Sequence, residues 1–345
     1  MKEIRVSRVS VIIPAYDRAG VVGDAIDSVL AQTYRDFELI VVDDASTDNT
    51  SDVLARYAEP VQVIRRTANS GAGAARNDGI RASTGEFIAF LDSDDLYLPK
   101  RLQSAVDLLD SHREYGAAYA EAALMVPGRG LVEHWVAARG GGRSGWILDG
   151  VLERDLIRTQ TITVRRSVLD RVGLFDEQLR SGQDDDLFWR IARETQIGYV
   201  DEIGAVLRIY PDGLSRSGSR ASESWIRRTR KALNNGVWAT ARQRRILQRR
   251  LYEELRAHAF YLGKEGRAWE VRTACLSAAR VALVGGSPVR AFKSVAAALY
   301  GQTGQKCITR LRQHRRRGAL AAQNGPDARE VVAQQEGGSQ CPASR

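Results

Sequence analysis

Cysteine is scarce in this chain, with three among 345 residues, Cys275, Cys307 and Cys341. An odd number without metal-ligand spacing argues against a disulfide framework or a zinc site and points to a reducing cytoplasm. Histidine is sparse too. His112, His134, His258 and His314 are scattered and read as surface residues, not catalysts. Long apolar runs are missing. The longest mildly apolar stretch, 274–286, is broken by Arg280 and falls short of the ~20 residues that a membrane span needs. Near the start, Lys2 and Arg5 precede an apolar run of only about five residues, too short for a signal-peptide core. No P-loop, HExxH, GxSxG or CxxC pattern occurs, so those chemistries lack support. Gly71-Ala72-Gly73 imitates the start of a dinucleotide fingerprint. However, Arg76 stands where a third small residue is needed, and the motif follows the third strand rather than the first.

What is present describes an ordinary globular protein, 43% hydrophobic and 27% charged, long enough to bury a full core. Charge is unevenly placed. Residues 1–219 hold 26 Lys and Arg against 34 Asp and Glu, whereas 220–317 hold 23 against 5. A boundary at 216/217 is therefore expected, separating an acidic domain, 1–216, from a basic helical region, 217–317. From 318 to 345, Ala, Gln, Gly, Pro and Ser dominate, and a disordered tail is expected.

The acidic residues of the first domain fall at particular places. Three short apolar runs, Val9–Ile13, Leu39–Val42 and Phe87–Leu91, end abruptly in Pro14-Ala15-Tyr16-Asp17, Asp43-Asp44-Ala45-Ser46 and Asp92-Ser93-Asp94-Asp95. Such Val- and Ile-rich runs read as strands buried on both faces of a parallel sheet. Open α/β sheets bind ligands beyond the carboxyl ends of their strands, so the three tips are expected to form one site. Helices alternate with these strands. Ser46-Thr47-Asp48 offers N-cap residues, a helix runs from Ala74 to Ala82, and Pro99 opens another through Leu102, Val106 and Leu109. The order is βαβα, hence α/β with a mostly parallel sheet flanked by helices.

Further along, Ala117–Val126 and Thr161–Arg165 read as strands. The segment between them, Pro127 to Gly145, is long enough for a lid or binding loop. Past Ser217 nearly everything reads as helix.

Two clusters carry chemistry. In Asp92-Ser93-Asp94-Asp95, side chains alternate along the strand exit, so Asp92 and Asp94 should converge while Asp95 turns with the loop. Hard oxygen ligands on a short loop suit Mg²⁺ or Mn²⁺ bridging to a diphosphate. A solvated turn is the plain alternative, and the position straight after a buried strand weighs against it. The second cluster, Gln183-Asp184-Asp185-Asp186, precedes Leu187, Phe188 and Ile191 at helical spacing. Acids at a helix start compensate the macrodipole. The same position keeps a carboxylate ionised, as a general base requires.

These stretches resemble family 2 glycosyltransferases of the GT-A fold. Val9 to Tyr16, Ser28-Val29-Leu30-Ala31-Gln32-Thr33-Tyr34, Val41 to Asp48, Ala74-Ala75-Arg76-Asn77-Asp78-Gly79-Ile80 and Gly85 to Asp95 carry the likeness over about residues 7–215. The resemblance implies that Pro14, Ala15 and Tyr16 line the nucleobase pocket and that Asp44 hydrogen-bonds the base. It implies that Asp92, Asp94 and Asp95 form the D-x-D element, touching ribose and metal, with Asp94 and Asp95 on the metal. Asp184 matches the catalytic base of an inverting displacement, and Asp186 and Trp189 match that motif's downstream acidic and aromatic positions. The sequence departs twice. Gln183 stands where Glu is usual, and Tyr210 replaces a histidine in the loop after Arg208, which itself is placed to pair with phosphate.

The expected protein is thus an inverting, Mn²⁺- or Mg²⁺-dependent glycosyltransferase. It would move a sugar from a nucleoside diphosphate, UDP by family weight, to a hydroxyl of a cell-surface glycan or lipid-linked acceptor. Two rivals stand beside it. One is a nucleic-acid-binding protein acting through the basic helices, with Arg242-Gln243-Arg244-Arg245 and Arg315-Arg316-Arg317 on phosphates. The other is a catalytically inactive nucleotide-sugar-binding homologue. The stripe Val289, Phe292, Val295, Ala296, Leu299 and Tyr300, flanked by Arg290 and Lys293, instead reads as a membrane-surface helix. That places the enzyme peripherally on the cytoplasmic face of an anionic membrane.

Overall fold

The computed structural model describes residues 7–299 apart from 58, 127, 129 and 210–217. Tyr210, the expected boundary at 216/217, the basic run 315–317 and the tail 318–345 lie outside the described residues.

The first half is built from β1 (Val9–Ala15), α1 (Val22–Leu30), β2 (Phe37–Asp43), α2 (Thr50–Ala55), β3 (Val61–Arg65), α3 (Ala72–Ala82), β4 (Phe87–Phe90), β5 (Leu96–Tyr97) and α4 (Arg101–Ser111). There follow β6 (Tyr115–Val126), β7 (Gly130–His134), α5 (Leu148–Arg154), β8 (Thr163–Arg165), α6 (Arg166–Val172), α7 (Gln183–Glu194) and β9 (Gln196–Arg208). Helices α8 (Ser219–Asn234), α9 (Ala241–Lys264) and α10 (Ala268–Val284) come last, with a further helical run over 288–299.

One nine-stranded sheet runs β3-β2-β1-β4-β8-β6-β9-β5, with β7 added on β6. The expected α/β class holds: β1 pairs in parallel with β2 and β4, β2 with β3, and in the second half β6 with β9. Antiparallel strands enter at β8, which joins β4 to β6. Alternation along β1 sends Val9, Val11 and Ile13 to a core shared with α1 and α4. Ile12 goes to the opposite core, shared with α5, α6 and α7. Both faces are covered, and for that reason β1 is apolar almost throughout. Register places the strand tips side by side: Ala15 lies opposite Asp43, the Asp44 N–H donates to the Ala15 carbonyl at 2.8 Å, and Leu91 N–H donates to Ile12 at 3.1 Å. Gly79 of α3 is needed for this packing, since a Cβ there would sit 2.5 Å from Ile12 Cγ2.

Three local expectations are corrected. Helix α2 starts at Thr50, not at the Ser46-Thr47-Asp48 run; Asp48 accepts from the Thr50 N–H just outside the helix, at 2.9 Å. The segment from 127 to 145 is partly built as strand β7 on β6. The buried Glu121 carboxylate then holds the Val136 and Ala137 N–H groups at 2.6 and 2.8 Å. The stripe from Val289 to Tyr300 is not a single face. Ala291, Ser294 and Ala298 are buried and Val295 packs inward, whereas Val289, Phe292 and Leu299 point out, Phe292 with 74% and Leu299 with 67% of its surface exposed. Tyr300 lies outside the described residues. Small side chains occupy the inside of α10 as well, at Ala274, Cys275, Ala278, Ala279 and Ala282. Trp269, Leu276 and Leu283, seven residues apart, are exposed.

The C-terminal helices share a core with the sheet domain. Ala232 of α8 and Leu247 of α9 are buried in the same cluster as Phe188, Trp189 and Ile191 of α7. Among the described residues no helix is long and apolar enough to cross a membrane.

Candidate active site

The loops after β1 and β2 are stapled to each other. Asp17 N–H donates to Ser46 Oγ at 3.0 Å, and Thr47 N–H donates to Asp17 Oδ1 at 2.7 Å. Asp17 and Ala45 both have positive φ, 50° and 63°, directly after Tyr16 and Asp44. Non-glycine residues held there cost on the order of 1–3 kcal/mol each, a strain that clusters at ligand sites. Pro14 and Ala15 are buried and Tyr16 is half-buried at this rim. Asp44 is buried with its oxygens already used: they accept from Arg66 Nη1 at 2.8 Å, from Ser70 N–H at 3.1 Å and from Gly71 N–H at 2.7 Å. Its carboxylate thus anchors the loop that leads into α3.

The D-x-D-D turn differs from the expected arrangement. Asp92 and Asp95, not Asp92 and Asp94, converge, because both accept from the buried Gln160 amide, Asp92 at 2.7 Å. Asp95 points inward instead of turning with the loop, and its other oxygen accepts from Arg208 N–H at 2.8 Å. Asp94 stays at the rim, 3.7 Å from Arg18 Nε. Burial, then the neighbouring carboxylates Asp92 and Asp94, push Asp95 well above the usual carboxylate range; burial and Asp92 raise Asp94. The Arg208 guanidinium is directed to the Asp94 carbonyl at 2.5 Å and to Asp24 at 2.6 Å, where it braces the turn.

As expected, Asp184 sits in the first turn of α7. Its Oδ2 accepts from Thr159 Oγ1 at 3.3 Å and its Oδ1 from Asp185 N–H at 3.0 Å. Burial would raise its pKa, but the charges of Arg158 and Arg76, with the Asp185 N–H, outweigh burial and leave it below the ordinary value. Arg76 also pairs with Asp92 at 2.5 Å, so one buried guanidinium lies between the D-x-D turn and the α7 carboxylate. Its Nε and Nη1 have no hydrogen-bond partner among the described residues, nor has Arg158 Nε. Buried donors left open in this way are ready for an anion. Gln183 is buried with its carbonyl oxygen unpaired and lies against Gly73 of α3. A glutamate at that position would add a buried charge beside Asp184.

The loop 158–160 before β8 was not expected at the site, yet Thr159 donates to Asp184, Gln160 donates to Asp92 and Asp95, and the charge of Arg158 acts on Asp184 and Asp95. It carries no motif, and only the antiparallel pairing of β8 with β4 brings it to the strand tips. Trp135, from the segment expected as a lid, stacks with the guanidinium groups of Arg139 and Arg158, 3.2 and 4.4 Å from its ring centroid.

The chemistry of the donor set fits a small divalent cation. Asp92, Asp94 and Asp95 supply hard oxygens, and Mg²⁺ typically takes one or two carboxylates, completing its shell with substrate phosphate and water. Among the described residues no group of three His, Cys, Asp or Glu side chains surrounds one point. A cation would therefore rest chiefly on Asp94, the carboxylate of the three that protein donors engage least.

Acids and guanidinium groups at the strand tips of an α/β sheet make a polar ligand site beyond the carboxyl ends of the strands, and comparison with known proteins gives the family. The chain belongs to glycosyl transferase family 2, whose model matches residues 10–164. It is 30% identical over 204 residues to the putative glycosyltransferase EpsE of Bacillus subtilis, an alignment covering 56% of this chain and 69% of that protein. An uncharacterized glycosyltransferase of Rickettsia bellii is 30% identical over 245 residues, 68% of this chain; the chain spans only 34% of that longer protein. Among solved structures, S. aureus TarS 1–349 in complex with UDP-GlcNAc has a TM-score of 0.61 at 20% identity, covering 86% of this chain and 88% of that one. The mannosyltransferase PcManGT from Pyrobaculum calidifontis, in complex with GDP-Man and Mn²⁺, has a TM-score of 0.56 at 22% identity, covering 88% of this chain and 83% of that one. At these identities the two structures establish the fold.

Proposed function

We propose that this chain is an inverting glycosyltransferase that uses a nucleoside-diphosphate sugar, UDP-linked by preference, with Asp184 as general base. The observation that carries the reading is the buried Arg76, paired with Asp92 on one side and lowering the pKa of Asp184 on the other, with two N–H groups unspent. In the reaction an acceptor hydroxyl oxygen bonds to the anomeric carbon as the bond from that carbon to the diphosphate oxygen breaks. The hydroxyl proton passes to an Asp184 carboxylate oxygen, and the departing electron pair stays on the diphosphate. Arg76, Arg158 and Arg18 offer positive charge where the leaving group develops its own. Pro14, Ala15 and Tyr16 form the wall for the base, and Asp44 acts through the loop it holds as well as through any contact with the base. Mn²⁺ or Mg²⁺ on Asp94 would neutralise the diphosphate as a Lewis acid.

A thermal-shift screen tests the donor. UDP with Mn²⁺ should raise the melting temperature more than GDP, CDP or ADP, and chelator should remove most of the gain. A ligand at a hundredfold excess over Kd stabilises the folded state by about 2.7 kcal/mol. No response to any nucleoside diphosphate would remove the donor reading, whereas binding without turnover would favour the inactive homologue.

The acceptor reading is a lipid-linked or cell-surface glycan met on the cytoplasmic side of an anionic membrane. It is supported by the outward Trp269, Leu276, Leu283, Phe292 and Leu299 on helices from a segment with 23 basic residues against 5 acidic ones. Each Lys or Arg at such a surface contributes on the order of 1 kcal/mol. The protein should float with anionic liposomes, and Phe292→Ser with Leu299→Ser should abolish flotation without lowering the melting temperature, since both side chains are exposed. Flotation unchanged by the pair, or tight DNA or RNA binding at matched salt with no flotation, would overturn the membrane reading.

A further inference from the structure

The acid next to the proposed base is gripped by the C-terminal helices. Arg228 of α8, only 2% exposed, forms ion pairs with Asp185 and, at 2.6 Å, with Glu254 of α9. Arg250 of α9 reaches Asp185 at 3.7 Å, Asp155 at 2.7 Å and Glu254 at 3.3 Å. The two guanidinium groups lie over the buried Trp189 ring, 4.6 and 5.1 Å from its centroid. Neighbouring residues on α8 continue the seam: Ser224 Oγ accepts from Ser181 N–H at 3.2 Å, Trp225 Nε1 donates to Ser181 Oγ at 3.0 Å, and Lys231 pairs with Asp176 at 2.7 Å and Asp186 at 3.1 Å. Positions 224, 228 and 231 share one helix face. Gly182, at φ +74°, lets Arg228 come close, since a Cβ there would lie 2.8 Å from Nη1.

Stability alone does not call for this arrangement. Burying a guanidinium costs several kcal/mol, and replacing a buried ion network with packed apolar groups is often neutral or stabilising. Its effect is directional. Asp185 is drawn toward α8 and α9, and Asp184, the residue before it, faces Thr159 and the charges of Arg158 and Arg76.

We propose that Arg228, seconded by Arg250, is a positioning residue for the catalytic carboxylate, so that the C-terminal helical region completes the active site by orienting the start of α7. The inference rests on Asp184 being the base. The groups facing the pair are Arg158, Arg76 and Thr159 toward Asp184, and Asp155, Glu254, Arg228 and Arg250 toward Asp185. Burial, then Asp155, push Asp185 up to about 7 against the pull of the two arginines. Removing Arg228 therefore raises both carboxylates.

The test uses the full chain with R228M, R228K, D184N and D185N. Carboxyl carbons of ¹³C-aspartate-labelled protein are followed by NMR against pH, with the two signals assigned by their Asn variants. UDP release from the best donor of the screen, in water or with acceptor, gives turnover. In R228M both midpoints should rise by about one pH unit or more. Turnover should fall about 10²-fold, as a misplacement near 1 Å can cause, with UDP–Mn²⁺ affinity within a factor of about two. R228K should reverse most of the midpoint shift. Wild-type midpoints and turnover in R228M overturn the proposal, as does a turnover loss that only tracks melting temperature. If R228M does not fold, R250M and the double variant R228M/D185N, in which charge is balanced, replace it. A raised Asp184 midpoint in the double variant relative to D185N alone is then expected, and an unchanged one overturns the proposal. D184N with wild-type turnover would instead remove the base assignment, whatever the arginine variants do.

Discussion

Asp184→Asn should lower turnover by about 10²–10⁴-fold, the usual worth of general-base assistance, or roughly 3–5 kcal/mol of barrier. The substitution keeps size and shape, and the oxygen that accepts from the Asp185 N–H can stay in place. Folding and donor affinity should persist, so the loss should appear in kcat with the donor Kd unchanged. Asp185→Asn and Asp186→Asn are the comparisons, because those side chains are committed to Arg228 and to Arg190 with Lys231; Asp185→Asn, which loosens the Arg228 grip without removing the base, should lose less turnover than Asp184→Asn. If either of these two abolishes turnover while Asp184→Asn retains it, the base is misassigned.

The second large effect is expected at the strand tip. Asp94→Ala should weaken UDP binding in the presence of Mn²⁺ by at least about tenfold, or 1.4 kcal/mol, and should leave the remaining binding insensitive to chelator. Calorimetry with and without EDTA reads both quantities. Asp94 is the sensitive position because its neighbours are already engaged: Asp92 by Arg76 and Gln160, Asp95 by Gln160 and the Arg208 N–H. Asp95→Asn should act differently. It turns one of the two buried oxygens that accept from the Arg208 N–H and the Gln160 amide into a donor, so its main effect should be on melting temperature. Equal UDP affinity of wild type and Asp94→Ala with Mn²⁺ would remove the metal assignment and leave the sugar-transfer reading in place.

Much of the proposed donor side was legible along the chain. A strand buried on both faces must be apolar through its length, and so its end is marked by the first polar residues. Asp43-Asp44 and Asp92 to Asp95 stood out for that reason, and register then showed β2, β1 and β4 lying side by side. The acids before Leu187 and Phe188 were legible on the same principle, as a helix start. What each carboxylate faces was not. Asp95 and Asp94 exchange their expected directions because Arg208, more than a hundred residues away, donates its N–H to Asp95 from the last residue of β9. Likewise Arg158, Thr159 and Gln160 look like loop filler until β8 pairs with β4.

The basic helices show the same division. Composition alone separated them from the acidic half and set their helical period, because charge and apolar spacing are local properties of the chain. Which side of each helix faces in was decided by packing. The inner faces of α10 and the 288–299 run carry mostly Ala, Ser and Cys, packed against Leu251, Tyr252, Leu255 and Leu262 of α9, whereas Trp269, Leu276, Phe292 and Leu299 are turned outward. Tertiary structure alone also joined these helices to the chemistry. A charge balance of +18 over 220–317 suggests a solvated or ligand-binding surface, yet Arg228 is spent inside, against Asp185 and over Trp189. Sequence carries the sign of a charge and its helical face, but the partner of a buried charge comes from a distant part of the chain. That partner exists only once the core has closed and water no longer competes for it.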